Sequence, residues 1–154
     1  MSSTAATWPI FMSKLKDREE VAEGTMSFHF EKPANWAFTA GQFIDITLIN
    51  PPETDAEGNT RGFSISAPPH DGAITVTTRM RDTAFKRVLK TMPLGTEVKI
   101  EGPFGDLRLH NNVQRAAVFL AGGVGITPFH SIVLDAARRK LPQQIFLFYS
   151  NRRP

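Results

Sequence analysis

The sequence contains no cysteine. That excludes a disulfide framework, a thiolate nucleophile and a cysteine-held iron–sulfur cluster within these residues. No apolar run approaches membrane-spanning length. The opening residues, Met1-Ser-Ser-Thr-Ala-Ala-Thr-Trp8, lack the basic start and apolar core of a secretory signal. The reading is a cytoplasmic protein with a short frayed leader. Charge of one sign is also scarce. Eighteen Lys and Arg face fifteen Asp and Glu, a net charge of +3, which helps acidic ligands approach but does not mark a nucleic-acid binder. The four histidines, His29, His70, His110 and His130, lack metal-ligand spacing. No carboxylates pair at helical spacing, so nothing argues for acid–base hydrolysis. With 41% hydrophobic and 21% charged residues, the chain folds rather than staying disordered, and 154 residues allow one domain and part of another.

What is present divides in two. Residues 1–112 read as β-rich. Short alternating segments run at Ile10–Lys16, Thr25–Phe30, Phe43–Ile49, Phe63–Ser66, Ala73–Arg79 and Glu97–Glu101. Asp17–Gly24 suits a hairpin connection, and the Pro- and Gly-containing stretch Asn50–Asn59 a surface loop. Short strands between turn signals predict a six-stranded antiparallel Greek-key barrel. One helix interrupts them, from about Thr83 to Lys90, with Phe85, Val88 and Leu89 on its apolar side.

The pattern changes at Val113. The run Ala116-Ala-Val-Phe-Leu-Ala121 reads as a strand covered on both faces. The turn Gly122-Gly-Val-Gly125 follows, then Thr127 as a helix cap with Pro128 at the first helical position. Phe129, Ile132, Val133 and Ala136 keep helical spacing, and Ile145-Phe-Leu-Phe-Tyr149 is a second buried-type strand. Residues 113–154 are thus the first βαβ unit of a Rossmann-like domain, incomplete as it stands. One helix cannot cover both faces of such strands. The expectation is that the natural chain continues past Pro154, or that the exposed strand pairs with another chain as an oligomer.

Four motifs bear chemistry. The strand-to-helix glycine turn places bare N–H groups where a helix dipole favours an anion, though a tight turn with no ligand has the same sequence. In Arg61-Gly-Phe-Ser64, a guanidinium offers a planar fork to phosphate, and the aromatic ring two residues on shares its side of the strand. A barrel strand with one exposed Arg and one core Phe reads the same way. Thr83 sits where a helix begins: either Asp82 or Thr83 is only a cap, or the Thr83 hydroxyl and the first free N–H groups hold a diphosphate; Arg79 either joins them or is a solvated edge charge. Glu101-Gly-Pro-Phe-Gly105 is a tight turn that brings backbone close to a ligand or simply reverses the chain.

In this order and spacing, the four motifs resemble the ferredoxin–NADP⁺ reductase family of flavin oxidoreductases. The resemblance runs from Ile10 to the C-terminus. It implies a barrel holding FAD (FMN in some members) and an α/β domain holding NAD(P)H. Hydride passes from nicotinamide to flavin, and single electrons go on to a separate protein or small-molecule acceptor of ferredoxin, haem or oxygenase type. Residue by residue, it implies that Arg61 holds the flavin diphosphate, Phe63 packs on the isoalloxazine and Ser64 hydrogen-bonds near N5. Gly62, Thr78, Arg79 and Thr83 contribute to the same cofactor site. Gly122, Gly123 and Gly125 admit the pyridine nucleotide, and Thr127 sits near the nicotinamide, making Ser64 and Thr127 the residues closest to the chemistry. Two departures stand out: Phe63 replaces the usual Tyr, and Arg79-Met-Arg-Asp82 replaces a Gly-rich segment. Arg152 and Arg153 either suit a 2′-phosphate or form a basic loop. A non-catalytic flavin- or nucleotide-binding module is the alternative function.

Overall fold

The computed structural model describes residues 7–152. β1 (Ile10–Ala22) and β2 (Thr25–Glu31) form a hairpin, and β3 (Phe43–Leu48) and β4 (Thr60–Ser64) form another. β5 (Ala73–Arg79) pairs with β2, and β6 (Glu97–Phe104) enters between β3 and β1. The sheet order is β4-β3-β6-β1-β2-β5, all antiparallel. A single bridge, Ile65 to Val76, closes it into a barrel.

β1 runs further than its sequence indicates. Its first part pairs with β6 and its charged second part with β2, bending at register shifts after Leu15 and Glu20. The hairpin connection therefore shrinks to Glu23-Gly24, with Gly24 at φ +64°. Asp17–Ala22 are tolerated in a strand because most of their side chains face solvent, and ladder hydrogen bonds outweigh weak β-propensity there.

The barrel interior holds Leu15, Phe28, Phe30, Ile44, Ile46, Ile65, Ile74, Val76, Val98 and Ile100, all fully buried. The helix α1 (Ala84–Thr91) plugs one end with Phe85, Val88 and Leu89. Thr83 caps it: its Oγ1 accepts the Lys86 N–H at 3.4 Å.

β7 (Ala117–Gly122) and β8 (Ile145–Ser150) form a parallel pair joined by a 3₁₀ turn, Gly123–Ile126, and the helix α2 (Thr127–Arg138). Ala117 and Phe119 pack under Ile132 and Phe129, with the two phenyl rings stacked at 4.7 Å. One sequence expectation changes here. Thr127 is not a cap: the 3₁₀ turn supplies the preceding residue, Ile126, and no side chain caps α2. The strands are covered on one face only among the described residues, leaving Leu120 73% and Phe148 61% exposed.

Leu89 lies fully buried in the plug, so Leu89→Ala leaves a cavity. The expected cost is about 3 kcal/mol of unfolding free energy, read from urea titration.

Candidate functional site

The site begins with a strand pair that does not form. β4 pairs with β3 throughout Thr60–Ser64, but pairing with β5 starts only at Ile65–Val76. Backbone groups alternate along a strand. Ile65 N–H points to Gln42 on the β3 side, and Ser66 N–H points to Thr75 on β5. The same alternation aims the N–H groups of Gly62 and Ser64 into the gap between β4 and β5. The gap widens into a cleft of about 490 Å³. Arg61, Phe63, Ser64 and Thr78 line its barrel side, Arg81, Thr83 and Lys86 the α1 side, and Gly125, Thr127 and Pro128 the glycine-turn side.

Three cations converge on this cleft. Arg61 lies over the Phe85 ring at 5.4 Å. Its Nη1 donates to the carbonyls of Glu57, Gly58 and Thr60, and its Nη2 pairs with Glu57 at 2.7 Å. Lys86 donates to the Arg79 carbonyl. Burial, then the charges of Arg81 and Arg61, pull the Lys86 ammonium below its ordinary value. Such a cluster gains from an anion placed among it.

Carboxylates of the Asn50–Asn59 loop already meet part of that demand. Asp55 Oδ2 accepts the Ala84 N–H at 2.8 Å, at the start of α1. That bond, with the Glu57 N–H and the Arg61 charge, holds Asp55 below the usual carboxylate range. Its hold on α1 is therefore fully present above about pH 4 and is lost as pH falls through the depressed value. Arg87 pairs with Glu53 at 2.8 Å and with Asp82, lowering the Glu53 pKa chiefly through its hydrogen bond and tying loop to helix. Of the donors in the first turn of α1, Ala84 N–H and Lys86 N–H thus have acceptors within the chain.

The structure separates some residues that the sequence groups. On β5, Ile74, Val76 and Thr78 point inward, so Arg79 shares the outer face with Thr75 and Thr77. Arg79 lines a different cavity of about 250 Å³, with Gly123, Tyr149, Asn151 and Arg152. Arg153 lies outside the described residues. Phe63 is 9% exposed and belongs to the core, its ring 5.9 Å from Phe85. Of the three turn glycines, only Gly123 has positive φ, +52°. A Cβ at Gly122, Gly123 or Gly125 would meet nothing within 4 Å. Fold constraints therefore do not require glycine at Gly122 or Gly125, whereas close approach by a ligand would. Thr127 is buried and lines both cavities.

Sequence reasoning missed Arg81, Lys86 and the three loop carboxylates, Glu53, Asp55 and Glu57. A signal for Lys86 was present: three residues after Thr83, it shares that side of α1. Among the described residues no cluster suits a metal ion, and no helix is long and apolar enough to cross a membrane.

Residues 12–109 match the model of the oxidoreductase FAD-binding domain, and the chain belongs to that family. It is 31% identical over 119 residues to terephthalate 1,2-dioxygenase reductase component 1 of Comamonas sp., covering 76% of this chain and 33% of that protein. It is 32% identical over 114 residues to methane monooxygenase component C of Methylosinus trichosporium, covering 73% and 32%. The chain thus spans about a third of the length of these relatives. The fold matches a ferredoxin NADP⁺ reductase from Neisseria gonorrhoeae, solved with FAD and NADP, at TM-score 0.70 and 18% identity, over 91% of this chain and 56% of that one. The barrel with the start of a nucleotide-binding unit is a ferredoxin reductase-like fold.

The cleft fits a flavin: it has cations for phosphate, strand N–H groups for ring acceptors, and side-chain-free backbone opposite. Because Glu57 competes for Arg61, Glu57→Gln is expected to tighten FAD binding by about threefold (~0.6 kcal/mol), measured by fluorescence titration.

Proposed function

We propose that this chain carries the flavin site of an NAD(P)H-dependent flavin reductase that delivers single electrons to a separate acceptor. One observation carries the reading: a cationic cleft between β4 and β5 faces the bare glycine backbone at the start of α2. In this reading Arg61, with Arg81 and Lys86, neutralises the flavin phosphates, and Thr83 contributes its hydroxyl at the edge of α1. Gly62 and Ser64 present N–H groups to acceptors on the ring, and Ser64 holds the N5 region. Phe63 and Thr78 form the apolar floor. A bound flavin would supply the capacity to take a hydride and release electrons one at a time.

The second cavity suits the pyridine nucleotide. Arg79 and Arg152 bring positive charge and Gly123 lines the cavity with bare backbone, between Gly122 and Gly125, whose backbone is equally open to a diphosphate. Thr127, shared by both cavities, lies where nicotinamide and flavin would meet. Among relatives, the names terephthalate 1,2-dioxygenase reductase component and methane monooxygenase component C support an oxygenase-type acceptor. These residues contain no cysteine, so any thiolate-held cluster in the electron path would lie elsewhere.

Purified protein is expected to be yellow or to become so with FAD, and to bleach on adding NADH or NADPH. Arg61→Ala is expected to weaken flavin binding about ten- to a hundredfold (~1.5–3 kcal/mol). Flavin binding without bleaching would favour a non-catalytic module. A colourless protein that FAD and FMN fail to reconstitute would contradict both readings.

A further inference from the structure

Among the described residues, α2 makes two side-chain hydrogen bonds to the barrel. His130 Nδ1 lies 2.8 Å from the Ser66 carbonyl, and Ser131 Oγ donates to the Ala67 carbonyl at 2.7 Å. A carbonyl only accepts, so Nδ1 carries a hydrogen. Ser131 is fully buried. Both acceptors belong to the segment that leaves β4, two and three residues beyond Ser64. Both donors stand on the α2 face that carries Thr127, three and four residues on.

The acceptor segment is itself fixed. Ser66 donates its N–H to the Thr75 carbonyl at 2.8 Å, and its hydroxyl meets Thr77 Oγ1 at 2.9 Å. Thr77 meets Ser27 Oγ at 2.7 Å. Below, Gly41 makes room for Ile132: a Cβ there would stand 3.0 Å from Ile132 Cδ1 and 2.3 Å from the Leu107 carbonyl oxygen. The N-terminal end of α2 is therefore held against one rigid point of the barrel, immediately past the flavin strand.

We infer that His130 and Ser131 are positioning residues that set the distance between the flavin seat at Ser64 and the nucleotide turn at Gly125–Thr127. The inference rests on the proposed flavin-reductase reading. Neither residue touches a cofactor cleft through its bonding atoms. Their effect is geometric, and small displacements between reacting partners are costly in rate. Losing either bond would let α2 shift on the barrel while leaving Arg61, Ser64, Arg81 and Lys86, which lie on other elements of the cleft, in place.

The test compares the chain as encoded with His130→Ala, Ser131→Ala and His130→Asn, each loaded with FAD. Stopped-flow bleaching by saturating NADH or NADPH is read beside the FAD dissociation constant and the visible spectrum. The alanine variants are expected to keep FAD affinity and spectrum and to lose about tenfold in the limiting bleaching rate. His130→Asn, which keeps a donor near the Nδ1 position, is expected to recover most of it. Hydrogen exchange gives a readout free of turnover: amides of the first two turns of α2 exchange faster in the alanine variants, and those of β4 and β5 do not. Unchanged rates together with unchanged α2 exchange would overturn the inference, as would a loss confined to KM or a fall in FAD affinity that accounts for the rate. Failure of the parent reading looks different, because the unmodified chain would then bind no flavin or bind it without bleaching.

Discussion

The site depends on where β4 and β5 stop being neighbours. A barrel closed along its whole height would satisfy every strand group internally and leave nothing for a ligand. Here closure is confined to the bridge between Ile65 and Val76. Above it, β4 keeps β3 on one side and an open gap on the other, so Gly62 and Ser64 turn backbone donors toward the gap. The cleft is thus a product of register. The donors it frees along β4 are main chain, which a ring with acceptor atoms can satisfy and a random apolar molecule cannot.

Electrostatics builds on that opening. Arg61, Arg81 and Lys86 crowd one rim, and burial beside two guanidiniums lowers the Lys86 pKa. Like charges held together are unfavourable until an anion joins them. The Asn50–Asn59 loop supplies a partial answer from within, with Glu57 on Arg61 and Asp55 on the start of α1. Those carboxylates keep the cluster stable in the folded chain, and Glu57 remains largely solvent-exposed, so at Arg61 a phosphate-bearing ligand competes with a weak partner.

Much of this was legible in the sequence because it is local. Thr83 ahead of an apolar helical stripe reads as a cap and is one. The glycine turn after a run of apolar residues reads as strand, turn and helix. What was illegible is set by long-range pairing. Arg79 is two residues from Arg81, yet the alternation of β5 sends it to the other cavity, a fact visible only once Thr78 is known to point inward. Asp55 reaches Ala84 across twenty-nine residues, and His130 reaches Ser66 across sixty-four. No spacing rule predicts either bond. Thr127 was misread because a 3₁₀ turn looks like a loop in sequence and moves the start of the helix. The length of β1 was missed because charged residues mask a strand whose side chains mostly face water.

The central claim is that the β4–β5 gap seats a flavin ring. Amide NMR of the labelled chain during FAD titration tests it directly. The account predicts saturable shifts at the Gly62 and Ser64 amides, accompanied by shifts at Thr78 and in the first turn of α1. Bound FAD that leaves those amides unmoved while perturbing another face of the barrel would contradict it.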